Sequence, residues 1–179
     1  MNIRKIVLTL AILSLTGFAA FAQRFAYVDT EYILKHIPDY TAAEQKLNDM
    51  SENWQKEVDA RYADIEKMYR AYQDDQVLLN DDARKKREDE IVNKERETKE
   101  FQRRIFGFEG ELYQERLRLI QPIQEKVSKT IQAIAESQNL DLILDKGSEV
   151  NFLYANPRLD KSDEVITKLG YKPGNVAKQ

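Results

Sequence analysis

The stretch QRFAYVDTEYIL, from Gln23 to Leu34, decides how this chain is organised. Its first half, Phe25 to Val28, is apolar and aromatic at successive positions, the pattern of a strand covered on both faces. Such a strand cannot stand alone, because its backbone N–H and C=O groups need a ladder partner. The charged, helix-like sequence that follows offers none nearby. Thr30 is placed to cap a short helix through Glu31, Tyr32, Ile33 and Leu34, which Pro38 interrupts because it lacks an N–H and restricts the residue before it.

A new helix is expected from about Asp39. From Tyr40 to Leu79 the apolar residues follow a heptad: one seam position reads Ser51, Val58, Ile65, Tyr72, Leu79, the other Tyr40, Leu47, Trp54, Arg61, Met68, Asp75. Arg61 and Asp75 are polar breaks in that seam. Asn80 is a good N-cap, and Asp81 and Asp82 suit the positive end of a second helix. This helix is expected to run unbroken to about Ser137, with apolar positions at Ile91, Phe101, Ile105, Phe108, Leu112 and Leu119, then Ile123, Val127, Ile131 and Ile134 after a phase shift near Pro122. At ~1.5 Å per residue the two helices would span roughly 60 Å and more than about 80 Å, far longer than a globular domain is wide. They form an antiparallel hairpin.

After Asn139 the period changes. Leu140–Asp145 and Val150–Tyr154 are short apolar runs around Lys146-Gly147-Ser148-Glu149, which reads as a β-hairpin. Asp160 or Ser162 is placed to cap a last helix whose apolar side is Val165, Ile166 and Leu169, with Gly170 at its stop. A helical hairpin leaves and returns to one place, so Phe25–Val28 can pair with Leu140–Asp145 across it. The small body thus formed buries little for the helical residues it must support, so several chains are expected to share one body. The heptads do not fix their number.

The 179 residues are 33% charged, which suits much exposed surface. Arg4 and Lys5, an apolar run from Ile6 to Phe18, and Ala20-Phe21-Ala22 before Gln23 form a secretory signal peptide over residues 1–22. The run is shorter than the ~20 residues of a membrane anchor. A Gram-negative periplasm is the expected address. There is no cysteine, hence no acylation site and no disulfide. Removing Arg4 and Lys5 from the 28 basic residues leaves 26 against 31 acidic ones, a net charge of −5, the wrong sign for a nucleic-acid binder.

The segments FAYVDTEYIL, IQPIQEKVSKTIQAIAESQNLDLILDKG and LYANPRLDKSDEVITKLG resemble the beginning and end of the Skp/OmpH family of periplasmic chaperones, in the same order. The resemblance implies a mainly α, α+β fold: a β-barrel body shared between the chains of a homotrimer, and one long helical coiled-coil hairpin per chain as a tentacle. It implies, too, that unfolded outer-membrane proteins are held in the cavity between the arms without ATP, then released to the outer-membrane assembly machinery. The boundaries expected are 23–38 and 123–170 for the body, 39–122 for the arm and 171–179 for a loose tail. Members of that family carry strongly basic arms, whereas this chain is acidic and its cluster RKKRE, Arg84–Glu88, is followed by acids. A lipopolysaccharide or membrane contact is therefore not carried over.

No catalytic constellation, metal ligand set or cofactor motif is present. His36 is the sole histidine, and the acids alternate with Lys and Arg at helical spacing, as solvated surface pairs do. Lys146-Gly147-Ser148 lacks the rest of a phosphate loop. The candidate client-binding residues are Trp54, Tyr62, Met68, Tyr69, Tyr72 and Phe108, large adaptable side chains that equally suit packing against the returning helix. Phe25, Tyr27, Val28, Leu142, Ile143, Leu144, Phe152 and Tyr154 are the candidate body residues. Gly107 and Gly110, each costing roughly 1 kcal/mol in a helix relative to Ala, and Pro122 are candidate hinges, and alanine at both glycines is expected to stiffen the arms. The competing reading is a structural envelope spacer or adaptor whose coiled coil binds one folded partner.

Overall fold

The computed structural model describes residues 24–147 and 153–174. The signal segment, Val150–Phe152 of the expected second hairpin strand, and the end of the tail lie outside the described residues. β1 (Phe25–Val28) leads into α1 (Thr30–Lys35); then come three long helices, α2 (Pro38–Asp75), α3 (Asp81–Phe106) and α4 (Glu111–Gln138), strand β2 (Leu142–Asp145), a 3-10 turn (Pro157–Leu159) and α5 (Ser162–Lys168). Among the described residues no helix is long and apolar enough to cross a membrane.

β1 and β2 pair in parallel, with Phe25 opposite Leu142 and Val28 opposite Asp145. Parallel neighbours need a crossover connection, usually one helix. Here the crossover is the entire helical arm. β2 pairs with the distant strand as expected; of the segment after it, Leu153 and Tyr154 are not in a strand, Tyr154 being 81% exposed, and the rest of the expected second hairpin strand lies outside the described residues. The other side of β1 is taken by Asp160, bridged to Tyr27, while the Lys161 N–H donates to the Tyr27 carbonyl at 2.9 Å.

The alternation of a strand divides the sheet into two faces. Val28 and Ile143 turn to the body core, where they meet Ile33, Ile37, Val127, Ile134, Val165 and Ile166. Opposite them Phe25, Leu142 and Leu144 stay exposed, Leu142 by 46%. Polar clamps fix the strand ends. Buried Asp29, the actual N-cap of α1 in place of Thr30, accepts from the Tyr32 N–H, and its own N–H donates to the buried Ser162 hydroxyl, both at 2.8 Å. Thr30 is instead the first helical residue; its N–H and hydroxyl donate to the Asp145 carboxylate at 3.1 and 2.7 Å, and the Gly147 N–H donates there too, at 2.9 Å.

α2 begins one residue earlier than expected, with Pro38 in the first turn, where its missing N–H has no intrahelical partner to lose. Asn80 caps α3 as read from the sequence, accepting from the Ala83 N–H at 2.8 Å. Val58 meets Phe101 and Ile105, while nearer the body Ala43 and Leu47 meet Ile120, so the return is antiparallel. Leu47, Val58 and Ile65 of the seam are buried. Its polar break Arg61 sits over the Phe101 ring at 4.2 Å and pairs with Glu57 at 2.6 Å, so it covers the seam instead of interrupting it. The last helix is capped at Lys161, without a side-chain bond, and not at Asp160 or Ser162: Ser162 is its first helical residue, whose N–H donates to Asp160 at 2.9 Å, and Gly170, at φ 92, closes the end in the left-handed region.

The Asp145 carboxylate joins β2 to the start of α1. Asp145→Ala strands the Thr30 and Gly147 amides and is expected to cost about 1–3 kcal/mol. Asp141→Ala, which removes one bond to the exposed Arg24 N–H, should cost well under that. Urea unfolding of both variants, followed by circular dichroism, checks the ranking.

Candidate functional site

The returning helix is not continuous. α3 stops at Phe106 and α4 starts at Glu111, so Gly107 and Gly110 flank a break instead of lying inside a helix. Gly107 still donates to the Arg103 carbonyl at 2.8 Å and then turns extended. A Cβ there would fall 2.2 Å from the Arg103 oxygen, and one on Gly110 2.6 Å from the Ile105 oxygen. Neither position has room for a side chain. Between them Glu109 holds φ 55, which few non-glycine residues adopt, and Phe108 is 97% exposed. Arg104 and Glu111, 3.2 Å apart, tie the two helices across the gap. The phase shift expected near Pro122 is located here; Pro122 lies inside α4 without ending it.

The six aromatic and methionine candidates do not form one surface. Trp54 packs against the cluster of Val58, Phe101 and Ile105. The Tyr62 hydroxyl donates to Gln102 at 3.3 Å, and that of Tyr72 donates to the Glu88 carboxylate, which raises its pKa. These three hold the arm together. Met68 is half-buried, Tyr69 exposed, and Phe108 projects from the break, against its expected place in the seam. In the body, Tyr27 and Val28 are buried, Ile143 is half-buried, and Phe25, Leu142, Leu144 and Tyr154 are exposed; Phe152 lies outside the described residues.

Charge on the arm is arranged locally. Ion pairs such as Lys35–Glu31 and Lys94–Glu97 join exposed residues three or four apart. The Glu115 carboxyl is held below its usual range by the Arg118 hydrogen bond. His36 lies with Nδ1 2.8 Å from the Tyr32 carbonyl and Nε2 3.0 Å from that of Gly174, engaged on both sides. Among the described residues no group of His, Cys, Asp and Glu could hold a metal ion.

Sequence reasoning missed Ile120 and Ala43, buried where α4 meets α2, because a continuous second helix puts Leu119 at the seam instead. It also missed a cleft beside them, of about 590 Å³, lined by Tyr40, Leu47, Arg116 and Ile120 among others. Burial first, then the hydrogen bond and charge of Glu44, push the Tyr40 phenol up to about 12.

Two outcomes test this geometry. Gly107→Ala with Gly110→Ala must displace backbone, and is expected to destabilise the arm by about 1–3 kcal/mol, read as faster amide exchange around Ile105 and Leu112. The Tyr40 folded-state pKa lies above the ordinary 10.0, so the stability it confers is complete below pH 10 and lost as pH rises toward about 12. Tyr40→Phe should flatten the stability profile in that window, and absorbance titration should lose its last phenol.

The sequence model of a family described as outer membrane protein (OmpH-like) matches residues 24–169. A crystal structure from Caulobacter crescentus CB15, of a protein proposed to be an outer membrane chaperone (OmpH-like), superposes with a TM-score of 0.66 at 14% identity, covering 82% of this chain and 83% of that one. At that identity the likeness concerns the fold. No curated protein sequence matches the chain.

Proposed function

The chain belongs to the OmpH-like family of outer membrane proteins, and from that membership we propose that it is an ATP-independent holdase chaperone of the periplasm, exported by its signal peptide. It receives unfolded outer-membrane β-barrel proteins between flexible arms and keeps them from aggregating before insertion. The observation that carries this reading is a small body, open along one apolar sheet face, at the root of a long two-stranded helical arm.

Residues 23–38 and 123–170 are assigned to the body, 39–122 to the arm and 171–179 to the tail. Phe25, Leu142 and Leu144, exposed among the described residues, would be covered by the same elements of two further copies, closing a barrel shared by a homotrimer. Three arms then enclose a cavity. Binding is passive: many weak contacts give useful affinity together while each is lost easily, so a client leaves when the assembly machinery takes it. Tyr69 and Phe108, exposed on the arm, are the first-named contacts, and the break at Gly107–Gly110 is the place where the arm bends. No lipopolysaccharide site and no enzymatic step are assigned.

Dilution of a urea-denatured outer-membrane barrel into the purified protein without nucleotide tests this. Scattering is expected to be suppressed, saturating at roughly one client per trimer. Leu142→Asp, which puts a charge on the open face, should shift sedimentation from trimer to monomer and abolish suppression. A trimer that suppresses nothing would favour the spacer reading.

A further inference from the structure

Two open cavities share a wall on one face of the arm's base. The larger, about 590 Å³, lies between α2 and α4 over the buried Leu47 and Ile120. The smaller, about 270 Å³, follows α4 to the break and is bounded by Phe106 and Tyr113. Arg116 lines both. They are therefore two stretches of one groove, running from Gly107 to Gln124.

The groove is apolar along its floor and bordered by solvent-exposed polar side chains, whose bonds to water a ligand covering them must replace. Leu117 and Tyr113 on its border are exposed. Among the described residues the side chains of Arg116, Asn48 and Gln124 take part in no hydrogen bond or ion pair, whereas the neighbouring Glu115 and Arg118 satisfy one another. Glu44, the acid of the larger cavity, hydrogen-bonds the Tyr40 hydroxyl. A ligand carboxylate is thus repelled at that end and attracted at Arg116. The two free amides each offer a donor and an acceptor, which an acyl chain would leave unmatched and an extended backbone would use. Along α4, the 12 residue steps from Leu112 to Gln124 at ~1.5 Å each give roughly 18 Å, and an extended chain covers about 3.3 Å per residue, so about six residues fit.

We propose that this groove binds an extended polypeptide segment of about six residues, with a carboxylate at Arg116 between apolar side chains seated over Ile120 and against Tyr113. It deepens the chaperone reading and rests on it: the arm would then select client segments in which an acid interrupts an apolar run. Such segments would be held at the root of the arm, while Tyr69 and Phe108 act farther out.

The probe is a fluorescein-labelled peptide of about six residues, alternating Leu and Thr with one Asp near the centre, alongside its Asn counterpart, titrated by anisotropy into the full chain. The Asp peptide is expected to bind more tightly. Arg116→Glu should weaken it by about tenfold and the Asn peptide by less than about threefold, with Arg116→Lys intermediate. Leu117→Asp should weaken both. Both positions are exposed to solvent, so the variants should fold, which circular dichroism checks. A photo-crosslinking residue at Leu117 should capture the peptide, and one at the exposed Val92 of α3 should not. Equal binding of the two peptides, indifference to charge reversal, or capture at Val92 alone overturns the groove. Aggregation suppression is read separately: if it persists without peptide binding the groove alone falls, and if the wild type fails to suppress, the chaperone reading falls while the titration still decides the groove.

Discussion

The parallel pairing of Phe25–Val28 with Leu142–Asp145 is the constraint from which the rest of the molecule follows. Two strands running in the same direction cannot be joined by a turn, so the chain between them must travel out and return to the starting edge. In a compact α/β unit one helix does this. Here the connection is long enough to project as an arm, and its return must come back in register. The Asp145 carboxylate, bonded to Thr30 and Gly147, and the Asp29–Ser162 contact hold the two ends of that excursion together. Fixing the root fixes where the arm starts; it does little for the far end, where burial is thin.

Burial accordingly falls along the arm. Near the body α1, α4 and α5 enclose a core of fully buried Ile33, Ile134, Val165 and Ile166. Farther out, single residues such as Val58, Ile65, Ile91 and Ile105 meet across two helices with solvent on both flanks. Tyrosine hydroxyls reaching Gln102 and Glu88, and Arg61 lying over Phe101, supplement that narrow seam. At the outer turn Val77 and Leu78 have no cover at all. Local opening free energies track such contact density, so the root is rigid and the far end is the part that gives.

Much of this was legible in the residues because local chemistry agreed with the tertiary outcome. The change from helical to strand period after Asn139 marked β2, the Asn80 cap marked the outer turn, and the heptad of Leu47, Val58 and Ile65 marked the buried seam. What misled was chemistry with two outlets. Leu140 reads as the start of the strand, but its N–H bonds back to the Ala135 carbonyl as part of the helix end, so β2 begins only at Leu142. Gly107 and Gly110 read as weak points within a helix, whereas the absent Cβ atoms matter because carbonyl oxygens approach closely. Phe108 matched the apolar spacing and still faces solvent, since the break rotates it out. The groove beside Arg116 was not legible, because it depends on how α4 lies on α2 after that break.

The long crossover also sets an order of events for a chain that emerges amino end first. Thr30 and Asp145, which bond directly, are 115 residues apart, so at about 5–20 residues per second the first strand waits roughly 6–23 s for its mate. During that delay the aromatic Phe25–Val28 segment is an unpaired edge, and the coiled helices can fold locally before any root exists to anchor them. The chain thus passes through a stage in which its own leading strand is the part that needs shielding.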